Sequence, residues 1–227
     1  MNLVIDTETT GLSKDSRLVS ICWLLTKGDN IIEQSYFIIK PEDWEIPARS
    51  TEIHGITKEF AIENGENIKM VLESFYNNIK RCTNIVAHNI RFDEAIIKSE
   101  LLRYGYTNVI EEMDKKNKIC TMLKGKTFMN LRKFPKLSEL YKFLYKEEIT
   151  NAHCALDDAK NCFKCFIKVV PLNFLEKESI VYFEDKKVKV FCEEKQETYN
   201  IFTKIKFLLE IFLYMVIIII LFKIINK

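Results

Sequence analysis

Net charge is the first thing this sequence lacks. Its 227 residues carry 34 Lys or Arg against 32 Asp or Glu, a formal +2, so bulk electrostatics alone nominates no polyanionic partner. Internal repeats and low-complexity linkers are also missing, which excludes a solenoid or a string of flexibly tethered modules. No secretory leader is expected, because Asp6 and Glu8 interrupt the first ten residues. Nor is there an even set of cysteines. The seven present run from Cys22 to Cys192, a count and scatter that exclude a complete disulfide framework and point to free thiols in a reducing, intracellular compartment. Cys162 and Cys165 make one C-x-x-C without a second pair. They lie in an apolar periodic stretch where a spacing of three puts both on one helix face, so core packing is expected in place of zinc. Histidine is scarcer still, and all three copies (His54, His88, His153) fall in the short segments discussed below.

What is present is a hydrophobic fraction of 48%, enough for one good core and a modest appendage. Residues 2–5 read as a buried strand ending at Asp6. The runs 18–26 and 31–39 flank Lys27-Gly28-Asp29-Asn30 and predict a hairpin. Residues 67–80 place Ile68, Val71, Leu72, Phe75 and Ile79 on one helical face, and residues 84–87 are another short strand. Helices are expected over 92–104, stopped by Gly105, and over 136–145 and 155–170. Strand, hairpin, helix, strand, helix, helix fits an α/β protein, a mixed sheet flanked by helices. Residues 115–136 hold eight Lys or Arg and no acid, and are read as a basic loop facing a polyanion or simply solvent.

This organisation predicts a domain over 1–172, an acidic connector over 173–205 and a hydrophobic C-terminal helix over 206–225. The connector has seven acids against five bases in 171–203, and a hairpin is expected around Glu184-Asp185-Lys186. The run Phe207–Phe222 has one charged residue, Glu210, and no polar face to offer water. Counting Ile224 and Ile225, with Lys223 snorkelling, it reaches the lower limit for a membrane span. A C-terminal membrane anchor is the expectation, with the preceding domain facing the cytosol.

Four segments bear on chemistry. In Val4-Ile5-Asp6-Thr7-Glu8-Thr9-Thr10-Gly11-Leu12, strand alternation points Asp6 and Glu8 to one side. Two carboxylates so placed repel unless a divalent cation or a shared proton lies between them, and hard oxygen ligands suit Mg²⁺ or Mn²⁺. Taken alone, the pair does not distinguish a metal site from two surface acids. In Ala87-His88-Asn89-Ile90-Arg91-Phe92-Asp93, Asp93 falls near a helix start, where an acid is also favoured by the helix dipole. In Asn151-Ala152-His153-Cys154-Ala155-Leu156-Asp157-Asp158, five residues on an unbroken helix would part His153 from Asp158. They converge if His153 lies in the loop before the helix and Asp158 one turn inside, leaving Asp157 as a cap or a solvent-facing acid. A loop histidine in that position is a reasonable general base. Ile46-Pro47 and Ile53-His54-Gly55-Ile56-Thr57 carry no chemistry readable alone and default to a turn.

Together, D-x-E-T-T-G-L, H-N-x-x-F-D and H-x-A-x-x-D resemble the DEDDh, or DnaQ-like, 3′→5′ exonucleases. The group includes the proofreading epsilon subunit of bacterial DNA polymerase III, whose motifs these are most similar to. The I-H-G-I-T stretch and Lys136-Leu137-Ser138-Glu139-Leu140 share in the likeness, which runs over about residues 1–170. The resemblance implies a ribonuclease H-like fold with a mixed five-stranded sheet. It implies two divalent cations held by Asp6, Glu8, Asp93 and Asp158, with His153 as general base. Thr7, Thr9, Gly11 and Leu12 would grip the terminal nucleotide, and His54, Asn89 and Phe92 would line its pocket. The substrate implied is nucleic acid, with single-stranded or mismatched 3′ ends of DNA favoured over RNA. Lys124, Lys126, Arg132 and Lys133 are candidate backbone contacts by charge alone. An RNA-trimming exonuclease and a catalytically silent, membrane-tethered nucleic-acid-binding protein are the rival readings. Within these 227 residues neither a proline-rich insertion nor a polymerase sequence accompanies the motifs.

Overall fold

Alternating and continuous apolar runs build the sheet from the N-terminal end of the chain. The computed structural model describes residues 1–13, 15–149 and 152–170. Strand β1 (Asn2–Thr9) pairs antiparallel with β2 (Leu18–Lys27), and β2 pairs with β3 (Asn30–Ile38) across the predicted turn, where Gly28 takes φ +60°. Three short helices follow: α1 (Ala48–His54), α2 (Lys58–Asn64) and α3 (Ile68–Ile79). Strand β4 (Asn84–Ala87) then runs parallel to β1, and α4 (Ile90–Arg103) and α5 (Thr107–Asp114) lead to β5 (Asn117–Cys120), parallel to β4. Helices α6 (Thr121–Phe128), α7 (Leu137–Tyr145) and α8 (Ala155–Val169) complete the described part. The five strands lie in the order β3-β2-β1-β4-β5, the mixed sheet the sequence implied.

Nine of the ten residues of β2 are buried, as required of a strand covered on both faces. Leu3 and Ile5 of β1 join Ile21, Trp23 and Leu25 of β2 in the main core with Leu72 and Phe75 of α3 and Ile97 and Leu101 of α4. The Trp23 ring lies 5.5 Å from that of Phe75, edge to face. Helix α8 packs on β1, β2 and β4. Its buried Cys162, Phe163, Cys165, Phe166 and Val169 supply the interface, each large apolar side chain contributing roughly 1.5–3 kcal/mol by burial. Both cysteines of the C-x-x-C are free thiols in that core.

Three expectations are corrected. β1 continues to Thr9 instead of ending at Asp6, because β2 continues to pair with it through Leu18. The basic stretch 115–136 is not a loop: it contains β5 and α6, and only residues 129–136 connect helices. The segment around His54 is no plain turn but the end of α1 and the start of α2, with the Thr57 hydroxyl accepting from the Phe60 N–H at 3.1 Å. The connector 173–205, its hairpin and the hydrophobic segment 206–225 lie outside the described residues. Among the described residues, no helix is long and apolar enough to cross a membrane.

Candidate active site

The site arises because β1 is longer than its parallel neighbour. Pairing with β4 stops at Val4↔Val86, so Asp6 and Glu8 project past the carboxyl end of β4, where the chain turns into α4. Parallel sheets bind ligands at such ends, since loops and helix starts converge there. Asp6 pairs with Cys22 and Glu8 with Ser20 across β2, on one face as alternation required; the register shifts between Glu8 and Thr9 as β1 leaves the sheet.

Asp93 arrives from the first turn of α4 and is 4% exposed. The Thr7 hydroxyl donates to its Oδ1 at 2.8 Å, joining β1 to α4. The helix begins two residues earlier than the periodicity suggests, behind Asn89, whose φ of 72° turns the backbone sharply. Asp158 arrives from the first turn of α8, and its Oδ2 accepts from the His153 backbone N–H at 2.9 Å. His153 stands in the loop before α8 with φ 69° and its side chain exposed, the break needed to bring it to Asp158. One donor atom from each of Glu8, His153 and Asp158 lies within 4.8 Å of the others. Asp157 is separated from this group and faces a cleft shared with Asp29 and Lys160.

Electrostatics in the site is dominated by desolvation. Burial, then the charges of Asp93, Asp158 and Glu8, pushes the Asp6 carboxyl well above the usual carboxylate range. Burial, then Asp158 and Asp93, raises Glu8 to about 8. Asp93 is raised to about 7 by burial, against the opposing pull of the Thr7 hydroxyl. Asp158 is raised by burial and partly relieved by its bond from His153. Four acids in a desolvated nest, Asp93 buried and Asp6 and Glu8 half-buried, resist ionising together, and a divalent cation would stabilise them by restoring the charge that desolvation removes. The donor set is carboxylate oxygen with one imidazole, suited to a hard cation such as Mg²⁺ or Mn²⁺.

Around this nest, Thr9 donates its hydroxyl to the Gly11 carbonyl at 2.6 Å. Leu12 stands almost fully in solvent, 90% exposed. His54 is buried: its Nδ1 accepts from the Ile56 N–H at 3.1 Å, and its Nε2 lies beside the Thr9 backbone without hydrogen-bonding geometry to any described residue. Burial lowers its pKa, so the ring is neutral at neutral pH. Asn89 is exposed, while Phe92 is half-buried and packs partly against the main core. Lys124, Arg132 and Lys133 are exposed on and after α6, with Lys133 paired to Glu139 at 2.7 Å. Lys126 lies over the Phe134 ring.

Two groups of positioning residues were missed in the sequence. Glu100, 1% exposed on α4, accepts from Arg17 Nε at 2.9 Å, the Leu18 N–H at 3.0 Å and Arg103 Nη1 at 3.1 Å. Arg103 also donates to the Asp15 and Ser16 carbonyls, so both arginines fasten the far end of the loop that carries Leu12. The near end is held by Thr10, whose N–H donates to the Arg17 carbonyl and whose own carbonyl accepts from Ser50. His88 is the second. Its Nε2 bonds the Pro135 carbonyl at 3.1 Å and its Nδ1 the Thr121 hydroxyl at 3.0 Å. A carbonyl only accepts, so Nε2 carries the proton and Nδ1 accepts from Thr121. Its place in the H-N-x-x-F-D segment was the only signal, and its partners were not readable.

A mixed sheet whose central strand carries two acids, with a third and a fourth brought by the first turns of two helices, is the ribonuclease H-like exonuclease architecture. Residues 3–166 match the RNase T exonuclease family, and the chain belongs to that family. The PolC-type DNA polymerase III of Thermotoga maritima is 31% identical over 171 residues, 75% of this chain and 12% of that polymerase. The chain thus spans about an eighth of the length of such polymerase relatives. The 3′-5′ exonuclease DinG of Bacillus subtilis is 32% identical over 106 residues, covering 46% of this chain and 11% of that protein. Among solved structures, E. coli exonuclease I with a dT13 oligonucleotide superposes with a TM-score of 0.62 at 22% identity, over 74% of this chain and 40% of that one. Exonuclease X with 5′-overhanging duplex DNA gives 0.56 at 23%, over 74% and 90%. These structural likenesses establish the fold.

Proposed function

We propose that the chain removes nucleotides one at a time from the 3′ end of DNA, hydrolysing the terminal phosphodiester and releasing nucleoside 5′-monophosphates. The observation that carries this reading is the nest of four desolvated carboxylates, Asp6, Glu8, Asp93 and Asp158, with an exposed histidine at its mouth. Asp6, Glu8, Asp93 and Asp158 would hold two divalent cations. When bound, these would neutralise the nest toward a phosphate and stabilise the negative charge of an in-line displacement. His153 takes the proton from the attacking water. It is exposed enough to exchange that proton with solvent, and its backbone bond to Asp158 keeps the base in register with the acids. Leu12 offers an apolar wedge to the terminal base, and the neutral His54, Asn89 and Phe92 lie on the segments that would surround it. A single-stranded or mismatched end suits this wedge, because a paired end would have to be opened first. DNA bound to exonucleases I and X supports the choice of polymer. The apolar run Phe207–Phe222 would tether the domain to a membrane, which detergent-dependent extraction of the full chain tests.

The test of the activity is a 5′-labelled single strand of DNA, and one of RNA, incubated with Mg²⁺, Mn²⁺ or EDTA. A ladder shortening from the 3′ end, absent in EDTA and with Asp6→Ala or His153→Ala, is the expected result. Binding without cleavage in any metal would overturn it in favour of the silent nucleic-acid-binding protein, and preferential cleavage of the RNA would move the substrate to that polymer.

A further inference from the structure

Three phenylalanines stand in solvent on one short part of the molecule. Phe128 and Phe134 are each 52% exposed and Phe143 43%, all within α6, α7 and the turn joining them. The rings of Phe128 and Phe143 meet edge to face, 6.4 Å between centroids. The two helices also meet in a buried contact, Leu140 against Gly125, where a Cβ would come within 2.8 Å of Leu140. Exposing apolar rings forgoes burial energy, and a contiguous exposed apolar cluster commonly marks a contact surface.

Cations accompany the rings. Lys126 Nζ lies 4.5 Å from the centre of the Phe134 ring and Lys146 Nζ 4.9 Å from that of Phe143. Lys124 and Arg132 are exposed and form no ion pair among the described residues. Aromatic faces interleaved with uncompensated positive charge complement a polymer that alternates flat bases with phosphates. They suit an apolar protein partner poorly, since exposed cations stand among the rings. The surface is also tied to the active site. Pro135, next to Phe134, accepts the hydrogen bond from His88, and His88 adjoins Asn89 at the start of the helix that carries Asp93.

We propose that the α6–α7 face is a stacking anchor for the single strand upstream of its 3′ end, with Phe134 and Phe128 taking bases and Lys124 and Arg132 the phosphates. This rests on the exonuclease reading of the site and adds to it a length-sensitive hold on the substrate. Two such contacts lying beyond the terminal nucleotides leave the shortest substrates indifferent to the anchor and longer ones dependent on it.

The experiment uses the full chain, wild type beside Phe134→Ala, Phe134→Leu and Phe128→Ala. It compares hydrolysis of a dinucleotide with that of a single strand of roughly 15 nucleotides, near the upper end of known single-strand site sizes. Expected is a KM for the long strand raised about tenfold in each variant, from the loss of one base stack, with kcat/KM for the dinucleotide unchanged. Phe134→Leu, which keeps apolarity and removes the flat face, is expected to match Phe134→Ala. Equal KM in all four proteins on the long strand would overturn the anchor, as would an equal loss on both substrates. Fluorescence anisotropy of a labelled strand in EDTA separates the anchor from the chemistry. Weakened binding by the variants, in a protein that cleaves nothing, leaves the anchor standing and fails the exonuclease reading. Loss of binding to phosphatidylserine vesicles, with DNA binding intact, would reassign the face to an anionic membrane surface and overturn the proposal.

Discussion

The two faces of β1 have opposite fates within eight residues. On one, Leu3 and Ile5 are fully buried in the main core beneath α3 and α4. On the other, Val4 is as completely buried, yet the same row continues into Asp6 and Glu8. Both rows are desolvated, and desolvation is favourable for the first and unfavourable for the second. The site is thus not an opening in the core but a continuation of it in polar chemistry. Its cost is visible in the raised carboxyl pKa values, and a bound cation would offset it.

Substitution across those faces gives the sharpest contrast. Asp6→Asn is expected to abolish nucleotide release while leaving the melting temperature in EDTA undiminished, because the amide removes a buried carboxyl that neighbouring acids already disfavour as a charge. A fall in melting temperature beyond a few degrees would show that Asp6 holds the fold. Its neighbour Ile5→Ala should do the reverse: about 2–5 kcal/mol of unfolding free energy lost to the cavity, with kcat/KM on DNA preserved below the transition. Loss of activity without loss of stability there would erase the distinction between the faces.

Next in size is the response to metal and pH. Glu8 has its pKa raised from 4.5 to about 8 by burial and nearby acids. Between those values the folded state binds more protons than the unfolded one, so metal-free stability falls as pH rises through that window and levels off above it. Denaturant titrations in EDTA from pH 5 to 8 read this slope. Mg²⁺ or Mn²⁺ at about a hundred times its dissociation constant should add about 2.7 kcal/mol, more effectively at the alkaline end, and the gain should be lost in Asp6→Asn. A metal-free protein more stable at pH 8 than at pH 5 would contradict the electrostatics described here. The smallest effect is expected where α6 packs on α7. Gly125→Ala gains about 1 kcal/mol of helix propensity, but its Cβ meets both Leu140 Cδ atoms at 2.8 and 2.9 Å. The net is a loss of roughly 1–2 kcal/mol, read as a lower melting temperature, unless Leu140 turns aside without penalty.

Within each motif the placement was legible because it is local, while the grouping of the motifs into one set came from the resemblance. Strand alternation placed Asp6 with Glu8, and the spacing of His153 and Asp158 demanded a break before the helix, which the structure supplies at φ 69°. What was hidden depends on partners distant in sequence. Arg17 and Glu100 are 83 residues apart, and His88 and Pro135 are 47 apart; neither pair leaves a periodicity to find. β5 escaped notice for another reason. Four residues that include Asn117 and Lys118 look polar, and they are a strand only because β4 lies ready to pair with them.

Helix α8 packs on β1 and β2 through one end-to-end face and delivers Asp158 from its first turn. The acids are therefore gathered from residue 6, near the start of the chain, and residue 158, near the end of the matched family region. During synthesis Asp6 and Glu8 are made well before Asp93 and Asp158, and wait for most of the domain before the set can close. Truncated chains that stop before α8 lack the fourth acid, and on the proposed reading none of them is expected to cleave. The proposed hydrolytic competence would then arrive together with completion of the fold.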